Sequence, residues 1–139
     1  MIPESHYGTW SGENTLWLQP GAPKHTSPGR VELTENSLVV HWQFKGEDKL
    51  GTMKFAGPTG SVRVAWTDTF HAEDGLVLHG PLANGLLQAY GSYSDGQGGF
   101  WGWTIELDLR DPDAVALRMF NIPPGYPPMM AVALTATRA

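Results

Sequence analysis

There is no cysteine anywhere in the 139 residues. That absence excludes disulfides, thiolate metal centres and a cysteine nucleophile. Basic residues are a minority, with Lys+Arg 9 against Asp+Glu 14 and a formal charge of -5. A general nucleic-acid partner is disfavoured, because phosphate contacts require a basic face. No apolar run is long enough to span a bilayer, and no cationic amphipathic stretch suggests a helix lying on a membrane surface. Neither nucleic acid nor membrane is expected as a partner. The first residues, Met-Ile-Pro-Glu-Ser-His, lack the charged and apolar regions of a signal peptide, so the cytoplasm is the expected location. Zinc-ligand spacing is missing, as is the Gly-x-Ser-x-Gly elbow of a serine hydrolase. Gly96-Gln97-Gly98-Gly99 leads into a strand and not a helix N-terminus, so it reads as a hairpin loop and not a phosphate cradle. No cofactor or metal is expected. Helical periodicity, internal repeats and linkers are also lacking, and residues 1–139 read as one domain large enough to bury a core.

What the chain does have is turn residues and alternation. Gly 17 and Pro 11 suit a chain that reverses often. The clearest alternation runs from Gly98 to Arg110. Trp101, Trp103, Ile105, Leu107 and Leu109 share one parity, and Gly102, Thr104, Glu106, Asp108 and Arg110 share the other. Strand side chains alternate between faces, so this is a long strand with one buried and one wet face. Two tryptophans on the buried face require a thick core or a cavity.

Similar patterns recur along the chain. Tyr7 to Leu18 opens it, with Trp10, Asn14 and Leu16 in phase and Trp17 out of phase at a rim. Gln19 to Pro28 reads as a loop. Arg30–Glu35 and Leu38–Lys45 read as a hairpin, with Leu38, Val40, Trp42 and Phe44 inward and His41 outward. Leu50–Ala56 and Ser61–Phe70 follow, the latter with Val62, Val64, Trp66, Asp68 and Phe70 in phase. Leu76–Gly80 pairs back, and Asn84-Gly85 is a strong turn signal. Leu86–Ser94, Ala114–Asn121 and Met129–Arg138 complete the set. The last of these has Met130, Val132, Leu134, Ala136 and Arg138 in phase. About nine or ten strands joined by short turns predict an all-β, single antiparallel up-and-down barrel, since closure removes the edges. A two-sheet sandwich is the rival, but it needs longer cross-connections.

Gly8-Thr9-Trp10 near one end of the chain and Arg138 near the other resemble the closing signature of the calycins, the lipocalin-like barrels. There the arginine lies across the indole at the closed end, a cation–π stack of about 0.5–2 kcal/mol. Both Trp10 and Arg138 fall on the inward parity here. Trp66-Thr67-Asp68-Thr69-Phe70-His71, Gly91-Ser92-Tyr93, Trp101-Gly102-Trp103 and Leu117-Arg118-Met119-Phe120-Asn121-Ile122-Pro123 resemble a bacterial family of calycin-like barrels without an established activity. The resemblance covers nearly the whole chain. It implies a fold but no chemistry.

The interior aromatics Trp42, Trp66, Trp101 and Trp103, with Tyr90, either fill the core or wall a pocket. The in-phase polar residues Asp68, Gln88, Tyr90 and Asn121 either orient a guest or bond one another, because an unpaired buried polar group costs about 1–3 kcal/mol. The leading expectation is a binding module for a small apolar or aromatic molecule. The second is an enzyme using Asp68 with His71 or His79 for proton transfer. The third is a structural or homo-oligomerising domain with a filled interior. The turn geometry decides the second: a three-residue loop Glu73-Asp74-Gly75 sets Phe70 opposite Leu78 and Thr69 opposite His79, with both histidines outward, whereas a two- or four-residue loop puts His79 on the face of Asp68; Leu76 and Leu78 pointing inward favour the three-residue loop. A haem barrel of the nitrobindin type needs a proximal histidine facing the pocket, and no histidine follows Asn84. Finally, Pro123-Pro124 and Pro127-Pro128 hold Tyr126 in a stiff frame. This loop is either a rigid connection or a fixed rim, with Tyr126 beside a ligand entrance and Asn121 just below.

Overall fold

A computed structural model describes all residues from Met1 to Ala139. The alternating stretches become strands β1 (Gly8–Trp17), β2 (Lys24–Thr34), β3 (Ser37–Phe44), β4 (Glu47–Ala56), β5 (Val62–Asp68), β6 (Leu76–Gly80), β7 (Leu82–Ala83), β8 (Leu86–Ser94), β9 (Phe100–Asp108), β10 (Ala114–Ile122) and β11 (Met129–Arg138). Every pairing is antiparallel, in the order β6-β5-β4-β3-β2-β1-β11-β10-β9-β8-β7. A further β6–β8 pairing closes the sheet into a ten-stranded up-and-down barrel, with the two-residue β7 an extension beyond Pro81. No helix is long and apolar enough to cross a membrane.

Strand bounds differ from the sequence reading where proline or a tight turn intervenes. The first long loop is shorter than expected, because β2 begins at Lys24 and carries Pro28 within it. Proline has no N–H to give a neighbour, and here the β2–β3 ladder runs only from Arg30↔His41 to Thr34↔Ser37. Beyond it the Gln43 N–H donates to Ser27 Oγ at 3.1 Å. β4 starts at Glu47, three residues early, because Lys45 (φ 50) and Gly46 (φ 79) alone make the turn. Two successive positive φ values are what a two-residue hairpin of primed type requires. The β5–β6 connection is longer than three residues: Val64 faces Leu78 and Arg63 faces His79. Phe70 and Thr69 therefore lie in a loop and not in the ladder. His79 still points outward, opposite Arg63.

A register shift near Met119 and Phe120 puts one extra residue into β11, so Met119 pairs with Val132 but Phe120 with Met130. Such a bulge reverses the facing of what precedes it. Met130, expected in phase with Val132, lands on the outward side beside Phe120. Ala131 and Val132 both reach the interior.

The barrel has two unlike ends. At one end the N-terminal segment, with its 3₁₀ turn Glu4–His6, folds over the opening. Arg138 lies over the Trp10 ring at 3.9 Å and donates to the carbonyls of Tyr7 and Ser5, each at 2.6 Å. His6 stacks on the same indole with centroids 5.4 Å apart, and Trp10 Nε1 donates to the His6 carbonyl at 3.0 Å. The anticipated Trp10–Arg138 closure is present. Above it Val31, Leu38, Val64, Leu107 and Leu134 are buried in the interior of this half. Each buried aliphatic of this size contributes about 1.5–3 kcal/mol. On the outer face of β9 and β10, Arg118 donates to Glu106 at 3.0 Å and to Asp108 at 3.1 Å. The Arg110 fork also holds Asp108, at 2.9 and 2.7 Å, and keeps its carboxyl well below the usual carboxylate range.

Candidate functional site

The other end is open, ringed by the loops 18–23, 45–46, 69–75, 95–99 and 123–128. Beneath them the interior is hollow, with a cavity of about 610 Å³. Pockets of roughly 300–1,000 Å³ are the usual size for small-molecule sites. The cavity occupies the open half of the interior.

Alternation from five strands delivers the wall. Trp42 comes from β3, Trp66 and Asp68 from β5, Tyr93 from β8, Trp101 and Trp103 from β9, and Asn121 from β10. Trp17 lies at the rim with Leu18. Room for Trp66 is provided by Gly51 on β4, next to Asp68 in the ladder: a side chain built there would overlap the far edge of the indole. The ring is aimed by its own strand, since Trp66 Nε1 donates to Asp68 Oδ2 at 3.0 Å.

Asp68 does more than orient that indole. Its Oδ1 accepts the backbone N–H groups of Phe70 at 2.7 Å, His71 at 2.6 Å and Ala72 at 3.0 Å. One carboxylate thereby shapes the whole 69–75 loop, since amide donors that would otherwise need water converge on it. The loop presents Phe70 to the cavity. Phe70 meets Trp42 edge-on at 6.3 Å, Phe44 at 5.0 Å and the His71 ring, stacked at 4.0 Å. His71 lines the mouth, but only its backbone N–H reaches Asp68. None of the 5 histidines has a ring nitrogen hydrogen-bonded to Asp68. His41 faces outward, 3.5 Å from the Glu32 carboxylate. No cluster of three His, Asp or Glu side chains is placed to hold a metal ion.

A second polar pair sits across the opening on β8 and β10. The Tyr93 hydroxyl donates to Asn121 Oδ1 at 2.8 Å. Burial pushes the Tyr93 phenol above its ordinary range, so it is a protonated donor at neutral pH. With its oxygen engaged, the Asn121 amide keeps its nitrogen for another partner. Three further polar atoms on wall residues, Trp42 Nε1, Trp103 Nε1 and Asn14 Oδ1, have no hydrogen-bond partner within the protein.

Two expected site residues are elsewhere. Tyr90 is 54% exposed on the outer face, where it covers Gly102. The facing of β8 is set by the Asn84-Gly85 turn, which pairs Leu82 with Leu87 and sends Leu87, Ala89, Gly91 and Tyr93 inward. Gln88 turns outward with Tyr90. Tyr126 is 66% exposed and stands off the cavity wall, although its proline loop belongs to the open end. The residues missed in sequence are Tyr93, Phe70 and Asn14. Asn14 and Phe70 were on inward parities and could have been named. Tyr93 was hidden because Ala89 and Gly91 make its face of β8 look less apolar than it is. Those small residues are required at the seam, where a side chain on Gly91 would meet the Val77 carbonyl at 2.7 Å. No protein-family model matches this chain, and no curated protein matches it.

Proposed function

We propose that this barrel is a binding module that holds one small, largely apolar or aromatic molecule in its open half. The reading rests on one observation above the others: a cavity of about 610 Å³ whose lining includes Trp42, Trp66, Phe70, Tyr93, Trp101 and Trp103, in a barrel whose other half is a buried aliphatic core. An unfilled apolar space forfeits dispersion contacts that a guest would restore. The Asn121 amide, fixed by Tyr93, is the group best placed to orient the guest. Membership of the calycin-like barrels is part of the proposal, supported by the Trp10–Arg138 stack at the closed end.

The acid–base alternative has less support. Asp68 is already engaged by four donors, none of them an imidazole nitrogen. Titration with Nile red, an uncharged apolar dye, tests the binding reading. The dye should brighten on binding at one site per chain, and Val132→Trp, which fills the space from β11, should abolish the signal. Native mass spectrometry of protein purified from its own host should show an added mass. A protein that neither binds the dye nor carries any adduct is not a binding module of this kind.

A further inference from the structure

The charge of the wall narrows the guest further. Among the ionisable side chains that line the cavity, Asp68 and Asp74 are acids, His71 is the one imidazole, and there is no lysine or arginine. Asp68 forms no ion pair. Its four hydrogen bonds come from three backbone amides and one indole, all neutral donors. They hold the carboxylate in place without cancelling its charge. Lys49 stands at the mouth, 5.7 Å over the Phe70 ring, but it is paired with Glu47 at 3.2 Å. That pair adds no net charge, and Lys45, 5.5 Å over the Phe44 ring, is outside the cavity lining. Among the uncharged side chains of the wall, Trp42, Trp66, Trp101 and Trp103 stand with aliphatic neighbours such as Val40 and Met119, and the face of an aromatic ring carries negative potential that attracts cations, tryptophan most strongly.

Resting on the binding reading above, the geometry points to a guest class: an organic cation, with an apolar or aromatic body among Trp42, Trp66, Trp101 and Trp103 and its positive group near Asp68. An uncompensated carboxylate in a wall that also carries four indoles favours such a molecule twice, through the charge and through the rings. The same field repels carboxylates and phosphates, which find no basic side chain on this wall.

Three naphthyl probes of matched shape test this by calorimetry at pH 8 and low salt: (2-naphthylmethyl)trimethylammonium, methyl 2-naphthylacetate and 2-naphthylacetate. The cation should bind about tenfold tighter than the neutral ester, and the anion about tenfold weaker than the ester. Asp68→Asn should bring the cation down toward the ester. The wild-type series decides the matter even if that variant unfolds. Should ester and cation bind equally, or the anion bind tightest, the charge inference is overturned while the binding module stands. Should none of the three bind while Nile red does, the charge inference is overturned and the binding module stands; should Nile red fail as well and no adduct be found, both fall.

Discussion

Gly51→Ala offers a test in which backbone and packing arguments predict opposite signs. Gly51 sits in β4 with an ordinary strand conformation, so alanine there is free of backbone strain. On backbone entropy alone the substitution should stabilise by about 0.4–1 kcal/mol. Packing says otherwise. The new methyl would overlap Trp66 Cη2 and lie 2.8 Å from Cζ2 and 2.9 Å from Cζ3. The indole cannot shift freely, because it is buried and tied to Asp68 at 3.0 Å. Overpacking of this kind costs about 1–3 kcal/mol, and losing the indole hydrogen bond about 1 kcal/mol more. The expected net loss is about 2–3 kcal/mol, or roughly 10 °C in Tm for a chain of this size. Trp66→Phe, which withdraws the far ring edge, is itself destabilising. Combined with Gly51→Ala it should cost clearly less than the sum, with a coupling of at least about 1 kcal/mol. Urea midpoints and thermal melts of the four proteins give the cycle, with near-UV circular dichroism reporting the ring. A neutral or stabilised Gly51→Ala, or an additive pair, would refute the claim that Trp66 is seated on Gly51.

Arg138→Gln should destabilise by about 1–3 kcal/mol, since it removes the stack on Trp10 and weakens both carbonyl contacts at the closed end. Arg138→Lys should recover little of this in a urea melt, because an ammonium lacks the planar fork. The Asp108 carboxyl, lowered first by its hydrogen bonds from Arg110, adds stability above the ordinary carboxylate range. That stability is lost as pH falls toward its depressed folded value. Asp108→Asn should therefore cost up to about 1 kcal/mol at pH 7 and make the urea midpoint less sensitive to acid between pH 4 and 2. Asp68→Ala removes the acceptor of three loop amides, so limited proteolysis should cut within 69–75 faster than in wild type. Tyr126→Ala should change stability by no more than about 0.5 kcal/mol, as its ring is on the surface.

The fold was legible because alternation is a strong signal wherever one face is buried and the other wet. β3, β5, β9 and β10 show it without interruption, and the inward sets read from them in sequence line the interior. Misreadings occur where another constraint overrides alternation. β8 carries small residues inward because the seam with β6 leaves no space, so its apolar parity is obscured. β11 changes phase at a bulge, which no residue type announces. The 69–75 loop looked like the end of a strand, since Thr69-Phe70-His71 has strand-like residues. What turns the chain there is Asp68, whose capacity to gather three amides depends on geometry that spacing alone does not reveal. The cavity itself is a matter of volume. Sequence lists the side chains that could fill the barrel, but whether they meet across it depends on strand number and tilt.

The closing pair of the barrel has a consequence for how the chain could be rewired. β1 and β11 share a ladder from Trp10↔Arg138 to Leu16↔Val132, although they are farthest apart in sequence. β6 and β8, separated by only a few residues, share just His79↔Tyr90. A circular permutant that links Ala139 to Met1 through a short flexible linker and opens the chain at Asn84-Gly85 would make β11 and β1 consecutive. The pairings then left between distant segments would be the single-pair seam and the two pairs of β7 with β8. Relative contact order falls, and with it the loop entropy that must be lost before long-range pairs form. Such a permutant should fold faster than the natural order of strands, with the last step of its folding the closing of β6 and β7 onto β8.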